Sequence, residues 1–520
     1  MDWGLWSLLP PVVSLIVALR TRHVVLALTA GCLSGLLPVA IANATADGLT
    51  ATTLSIGVLD GFLDFVRKGI YGQVSKASNA QILVLIFMIG GFVGLLEKSG
   101  GTLAFAQSMT RRVRTPRQAQ LATWAGGLAI FFSDVGNTLI LGPLFRPVYD
   151  RLGISREKLA YIVDSTAAPV CVLIPFIGWG VYITGLLEGG SADLATDTAA
   201  SLAAASGPLW DAEDGQLKGF QTLLALLPYQ LYPLMTLLTV PVVILLGRDF
   251  GPMRHTKPVP HRAEDATETG LSAGSVLFAL GLLLGAMVAL MLYFTATEGE
   301  LKGATIRVTI AAAYTVATAG AGLALWRSGV FTPSKSFTAF RDGMGRMMPM
   351  AIIIVFAWTL GDLCKEMGTG AFISQSVAGG LPPELLPLGV FIAGAAMSFA
   401  TGTSFGTFAI LIPIALPLIG DLDAPMLVTL AAVLSGGIFG DHTSPISDTT
   451  VLSSMGAGTP HADHVTTQLP YATIVGVSAA AAFTVAGFTE SPIAIGLGLL
   501  LSLGGVTAAG RLSPPSRRAA

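Results

Sequence analysis

The sequence predicts an all-α polytopic membrane protein, an inverted-topology repeat with about 11 spans, two re-entrant hairpins and broken helices. Three observations carry that prediction. Residues AVILMFWYC make up 52% of the 520-residue chain and Asp, Glu, Lys and Arg only 12%, about half the charged share of an average soluble domain. Apolar runs of about 17–25 residues recur from end to end, each long enough to cross a hydrocarbon core about 30 Å thick. Two further apolar stretches are too long for one span, and small polar residues interrupt each near its middle.

In chain order, spans are expected at Leu5–Leu19, Val24–Ile41, Gln81–Leu96, Tyr161–Leu187, Phe220–Leu246, Ser272–Phe294, Ile306–Leu325, Met347–Leu363, Pro425–Ser453, Pro470–Phe488 and Ile493–Val506. The first is not read as a signal peptide, because many equal segments follow it and no A-x-A site ends it. Ala51–Lys68 is moderately apolar but carries Asp60 and Asp64, and is expected to be a peripheral helix with those two on a solvated face.

Loop charge orients the spans, since basic loops stay cytoplasmic. Lys and Arg gather at Arg20–Arg22, Arg111–Arg117, Arg146–Lys158, Arg248–Arg262, Arg327–Arg346 and Arg511–Arg518. The loops between them, Glu188–Lys218, Thr297–Lys302, Gly368–Glu384 and Gly420–Ala424, are poor in basic residues. The N-terminus is then outside and the C-terminus cytoplasmic, in a bacterial inner membrane. Arg67, Lys68 and Lys76 fit this scheme poorly. The long stretch Ala119–Val148 has basic loops at both ends and should dip in from the cytoplasm; Leu385–Ile419 has none and should dip in from outside. The net charge of −2 points to no nucleic-acid partner. Cys32, Cys171 and Cys364 are scattered through apolar segments and read as small core residues, not as a disulfide framework or a zinc site.

Two regions overlay in the same order. Leu95-Leu96-Glu97-Lys98-Ser99-Gly100 resembles Leu363-Cys364-Lys365-Glu366-Met367-Gly368. Ser133-Asp134-Val135-Gly136-Asn137 falls on Thr403-Ser404-Phe405-Gly406-Thr407, and Pro143 on Pro413. Asp164–Pro169 falls on Asp441–Pro445 with one residue dropped. Shared order with opposite expected insertion is a transporter signature. The chain divides accordingly into N-terminal membrane helices (1–80), transport repeat 1 (81–247), a linker loop with two connecting spans (248–346), inverted transport repeat 2 (347–488), and a C-terminal span with a cytoplasmic tail (489–520).

Four polar breaks lie in apolar surroundings: the hairpin tips Ser133–Thr138 and Thr401–Thr407, and the broken spans Asp164–Pro169 and Asp441–Thr450. A helix stopped at membrane depth frees N–H and C=O groups that lipid cannot satisfy, so such breaks survive only where buried or lining a wet cavity. Loose carbonyls with Ser, Thr and Asn oxygens are hard ligands that suit Na⁺. Asp134, Asp441 and Asp448 are the expected ion-binding carboxylates, since a charge at mid-span costs about 2.5–3.5 kcal/mol on insertion scales and usually has a role. A site that takes Na⁺ or H⁺ but not both would couple their movements. Capping of a broken helix is the competing structural role. Asn137, Thr138, Ser404 and Thr407 are expected to supply neutral oxygens, although hydroxyls in membrane helices often bond locally. Ser133, Thr403, Thr443, Ser444 and Ser447 lie beside them. His442 and Asp164 are candidates for a proton relay, Asp164 being placed near the membrane surface by its closeness to the basic loop. His461 and His464 are expected in a solvated cytoplasmic loop, where Asp463 could join them on a metal.

An enzyme is disfavoured. Gly402-Thr403-Ser404-Phe405-Gly406 matches the G-x-S-x-G nucleophile elbow, but that motif needs a preceding strand within an α/β sheet. An intramembrane aspartyl protease built on Asp441 would need a second placed Asp but no inverted repeat. No phosphate-binding loop with its Lys appears, so no ATP and no cofactor are expected.

The run Phe439-Gly440-Asp441-His442-Thr443-Ser444-Pro445-Ile446-Ser447-Asp448-Thr449-Thr450 closely resembles the signature of the NhaC-type sodium/proton antiporter family. Phe132–Thr138 and Thr401–Thr407 look like its other characteristic stretches, and the resemblance extends from about Gln81 to Tyr471. It implies exchange of cytoplasmic Na⁺ for external H⁺ by alternating access, with paired hairpins and broken helices. It leaves room for exchangers that also move organic acids. The expected partners are Na⁺, H⁺ and the lipid bilayer; a homodimer is compatible with the reading.

Overall fold

The structure is a computed structural model. It describes residues 3–21, 23–35, 38, 41, 51–100, 113–192, 194, 196–259, 274–298, 303–369, 372 and 382–512. Parts of the expected Val24–Ile41 span and of the 101–112, 260–273, 299–302, 370–381 and 513–520 connections and tail lie outside the described residues.

Helices α1 (Leu9–Thr21) and α2 (Val24–Ser34) open the chain. Ala51–Lys68 is helical as expected: α3 (Ala51–Asp64) runs into a wider π-helical stretch, Phe65–Gly72. Asp64 lies exposed and accepts from Lys68 Nζ at 2.8 Å. Next comes α4 (Ala77–Lys98), then a hairpin of α5 (Pro116–Ala129) and α6 (Asp134–Arg151). The segment expected as one broken span is more deeply interrupted than its sequence indicated. Helix α7 (Arg156–Ser165) stops, a single turn α8 (Ala168–Cys171) comes next, and regular helix resumes only at α9 (Gly178–Ala192). Pro169 opens α8 and Pro175 lies in the gap, and each lacks the N–H that would carry the helix through.

Glu188–Lys218 is not an open loop. It holds the end of α9, helix α10 (Thr196–Ser206) and a two-stranded ribbon, β1 (Trp210–Asp211) with β2 (Gln216–Leu217). Phe220–Leu246, expected as one span, divides into α11 (Gly219–Leu226) and α12 (Leu231–Leu246) at a 3₁₀ turn containing Pro228. Long helices α13 (Gly274–Glu298) and α14 (Gly303–Arg327) come after it. The expected basic loop Arg327–Arg346 contains a helix, α15 (Pro333–Arg346). It packs on α4, where Lys98 pairs with Asp342, and Arg346 Nη1 donates to Glu97 Oε2 at 2.6 Å.

The second half runs α16 (Met348–Glu366), a hairpin of α17 (Leu386–Thr401) and α18 (Ser404–Leu422), then α19 (Met426–Thr443) and α20 (Asp448–Ala457) around a short break. Helices α21 (His461–Thr489) and α22 (Ala494–Leu512) complete it. Eleven helical segments among the described residues are long and apolar enough to cross a membrane. They are not the eleven expected spans: both arms of the second hairpin qualify, whereas Tyr161–Leu187 does not form a single helix. Met426–Thr443 is 89% buried and Leu277–Thr297 only 17%, so the second broken helix lies at the centre and α13 at the rim. All three cysteines are buried and unbridged.

Candidate functional site

Each hairpin presents the N-terminus of its second arm to a break. In the first, Ser133 caps α6 by accepting the Gly136 N–H at 2.9 Å. In the second, α17 ends on Gly402 at φ +70°, and α18 begins at Ser404. A side chain at Gly402 would be strained by that φ, and its Cβ would stand 2.6 Å from the Ile446 carbonyl oxygen. Glycine therefore lets the tip press against the second break.

Helices α6 and α20 begin alike. Ser133-Asp134 and Ser447-Asp448 are each a capping serine followed by an aspartate that accepts the next backbone N–H at 2.8 Å. The two helices cross where a Cβ on Gly142 would fall 2.5 Å from the Gly456 carbonyl carbon. Each glycine stands eight residues after its aspartate. Asp448 acts electrostatically on Asp134, so both helices point their N-termini at one place.

Asp134 is half-buried, and its second oxygen accepts from Trp179 Nε1 at 3.3 Å. Asp441 is sealed in, with Oδ2 accepting from Ser404 Oγ at 2.8 Å. Its Oδ1 is buried without a hydrogen-bond partner; the nearby Ser447 hydroxyl is engaged with Thr449 at 3.0 Å. Asn137 is equally incomplete: Nδ2 donates to Gly127 O (2.8 Å) and Thr166 O (3.1 Å), while Oδ1 is buried and unpartnered. Buried polar atoms are nearly always satisfied, so these two oxygens are the best candidates for ligating a cation. Asp448 alone among the aspartates of the breaks is exposed, which puts the open side of the site at α20.

The other expected residues divide. Thr138 and Thr407 are buried, but their hydroxyls donate to the carbonyls of Val135 (2.9 Å) and Thr403 (3.0 Å), within their own chain turns. Thr443 bonds Phe439 O at 2.7 Å and Ser444 bonds Phe399 O at 2.6 Å, which ties the second break to α17.

Asp164 sits in the protein interior. It is 1% exposed and accepts from Thr450 Oγ1 (3.0 Å), Ser453 Oγ (3.3 Å) and Gln468 Nε2 (2.6 Å). Lys158, the basic residue that suggested an interface, is itself buried, bonded to Asp249 and set over the rings of Tyr161 and Tyr471. His442 joins the two breaks: Nε2 meets Ser165 Oγ at 3.2 Å and Nδ1 meets Tyr232 OH at 2.7 Å. His464 is no solvated loop residue either. It is fully buried on the first turn of α21 and bonds Ser454 and Gln468. Among the described residues no cluster of His, Cys, Asp and Glu has metal-site geometry, so the suggested His461–Asp463–His464 metal site is not formed.

Sequence reasoning missed Trp179, Tyr232, Gln468 and Glu97, the last accepting from Ser133 Oγ at 3.0 Å. For Gln468 a signal existed, since His461, His464 and Gln468 at i, i+3 and i+7 form one helical stripe.

Charge decides what the site favours. Three helix N-termini (α6, α18, α20) converge with two C-termini (α7, α19). At about +0.5 and −0.5 each the ends sum to roughly +0.5. A single ionised carboxylate among Asp134, Asp164, Asp441 and Asp448 outweighs that.

Aspartates at broken helix ends, inside an all-helical bundle with this many apolar helices, define a multi-pass secondary transporter and not an enzyme. The chain belongs to the Na⁺/H⁺ antiporter family, whose model matches residues 2–199 and 170–488, and the expectation drawn from the Phe439–Thr450 run holds at that level. It is 32% identical over 513 residues to an uncharacterised protein of Haemophilus influenzae, covering 94% of this chain and 92% of that one. It is 37% identical over 135 residues to the malate-2H⁺/Na⁺-lactate antiporter of Bacillus subtilis, covering 24% of this chain and 29% of that one. Its fold resembles the Alcanivorax borkumensis YdaH transporter, described as having an unusual topology, with a TM-score of 0.58 at 16% identity over 91% of this chain and 99% of that one.

Proposed function

We propose that the chain exchanges Na⁺ for H⁺ across the bacterial inner membrane by alternating access, with its N-terminus outside and its C-terminus cytoplasmic. The observation that carries this reading is the pair of buried, unpartnered oxygens, Asp441 Oδ1 and Asn137 Oδ1, within a net-negative cluster. Asp134, Asp441 and Asp448 bind the ion, with Asn137 and Ser404 as neutral oxygens. Thr138 and Thr407 hold the first turns of α6 and α18 in place, and each hydroxyl oxygen keeps acceptor capacity. A proton on Asp441 and a Na⁺ beside it exclude one another, which couples the two movements.

The repeat is read as inverted. Ser165 and His442, which touch, each directly follow the matched aspartates Asp164 and Asp441. Matched residues in contact lie on the axis that relates their units, and a two-fold in the membrane plane gives hairpins entering from opposite faces. A Na⁺- or H⁺-coupled carrier of a small carboxylate or amino acid is the second reading. Three convergent helix N-termini, which suit a carboxylate, and the activity of the Bacillus subtilis relative favour it.

Proteoliposomes with an imposed pH gradient and a fluorescent probe separate the two. NaCl, LiCl, KCl and sodium malate are added in turn, with Asp441→Asn as control. Collapse by NaCl without any need for malate, absent in D441N, is the expected result. Collapse by malate but not by chloride salts overturns it in favour of the carrier.

A further inference from the structure

A hydrogen-bonded cluster outside the carboxylate site has more acceptors than its protons can satisfy. The amide of Gln468 is oriented without ambiguity: its Nε2 lies 2.6 Å from both Asp164 Oδ2 and the His442 carbonyl, and a carbonyl only accepts. Gln468 Oε1 therefore faces His464 Nε2 at 3.0 Å as an acceptor, and Nε2 must carry a hydrogen. His461 Nε2 lies 2.6 Å from the Pro445 carbonyl and must carry one too. If both imidazoles are neutral, both Nδ1 atoms are bare lone pairs.

Both Nδ1 atoms converge on one hydroxyl: Ser454 Oγ is 3.0 Å from His461 Nδ1 and 2.8 Å from His464 Nδ1. A hydroxyl has one proton and two lone pairs. Serving one imidazole leaves the other lone pair facing lone pair, and the Thr450 carbonyl at 2.7 Å competes for the same proton. One added proton resolves this. One ring then donates N–H to Ser454 Oγ, and the hydroxyl donates to the other ring. A second proton also satisfies every bond, but places two cations on one buried serine.

We propose that His461, Ser454 and His464 form a second proton-binding site, which holds one proton shared between two imidazoles and lies one amide away from Asp164. His461 is partly exposed and His464 fully buried, so the site spans the step from surface to interior. A proton on His464 strengthens its bond to Gln468 Oε1, polarises the amide and favours ionised Asp164.

The charged groups facing the pair come from several elements. His442 of α19 and Asp164 of α7 lie beyond Gln468. Glu157 accepts from Thr459 at 3.1 Å, and Arg146 and Arg156 flank Gly458. Asp448 begins α20, and Asp463 lies on α21 itself. Further along the elements packed on α21 are Lys158 with Asp249, Arg254, His255, Glu384 and Arg511. The carboxylates among these favour retention of a proton, and the arginines near Gly458 oppose a second.

The test needs no transported ion, so it stands or fails independently of the exchange reading. Full-length protein in lipid nanodiscs, with its six histidines ¹⁵N-labelled, is titrated by NMR between about pH 5 and pH 8. His461→Gln and His464→Gln assign the signals. The expected result is a first step in which the His461 and His464 signals move together, and a separate second step at lower pH. Ser454→Ala should abolish the joint step and Ser454→Thr should keep it. If S454A does not fold, H461Q replaces it, and His464 must then take up its proton only at lower pH than in the wild type. Independent titration of the two histidines in the wild type, a joint step that survives S454A, or an unmoved His464 in H461Q overturns the proposal.

Discussion

At Asp164 three donors meet one carboxylate, whereas at Asp441 one hydroxyl does and Oδ1 meets none. The difference comes from the segment C-terminal to each break: Thr450 and Ser453 of the second unit reach across to Asp164, but the first unit offers only the apolar run Val170–Ile174 in return. The two aspartates should therefore fail differently. Asp164→Ala strands buried donors, at about 1–3 kcal/mol for each that stays unpaired, and should lower the melting temperature in detergent clearly. Asp441→Ala frees Ser404, whose hydroxyl keeps the Gly437 carbonyl at 3.2 Å, and leaves the neighbouring Ser447 hydroxyl with Thr449 at 3.0 Å, so stability should hold while transport is lost. Equal destabilisation by both would contradict the division of roles. Asp134 and Asp441 were legible because carboxylates are rare in apolar runs. The burial of Asp164 within the protein was not, because Lys158 was read as surface charge although Asp249 and two tyrosine rings allow its burial.

The crossing of α6 and α20 fixes the distance between Asp134 and Asp448, and it rests on backbone meeting backbone. A Cβ at Gly142 would stand 2.5 Å from Gly456, and one at Gly456 would stand 2.8 Å from the Thr138 carbonyl oxygen. Neither neighbour is a side chain that can turn away. Gly142→Ala should force the helices apart, cost roughly 1–3 kcal/mol in the manner of an overpacked core, and reduce transport. Gly389→Ala in α17, where a Cβ meets nothing within 4 Å, should be neutral or slightly stabilising. Melting and transport measured side by side check this; equal loss in both variants would show that the crossing is not special. Both hairpins and the Asp441–Thr450 break were legible at this scale, since glycine and polar residues interrupt apolar runs there. The division of Phe220–Leu246 was missed because its apolarity continues through Pro228. Helix α15 was read as loop from its charges, which in the fold pair with Lys98 and Glu97 of α4.

For the molecule as a whole, segment lengths follow from apolar content, but buried charge does not. Arg307 on the connecting helix α14 is buried against Glu188 at 2.5 Å and Gln81 at 2.8 Å. A buried ion pair that is fully bonded persists without exposing either charge, so hydropathy along one helix could not reveal it. The same separation between length and placement applies to orientation, which rests on loop charge alone. The native cysteines are buried, so single exposed cysteines can report sidedness in intact cells. Ser328→Cys sits between α14 and α15, and Thr489→Cys at the end of α21; both positions are exposed. With the N-terminus outside, a membrane-impermeant maleimide should label T489C in intact cells and S328C only after permeabilisation. The reverse pattern would invert the whole chain, keeping the helices, the breaks and the relation between the two units while exchanging which face each hairpin enters from. Labelling of both from the same side would break the alternation itself, and with it the inverted repeat.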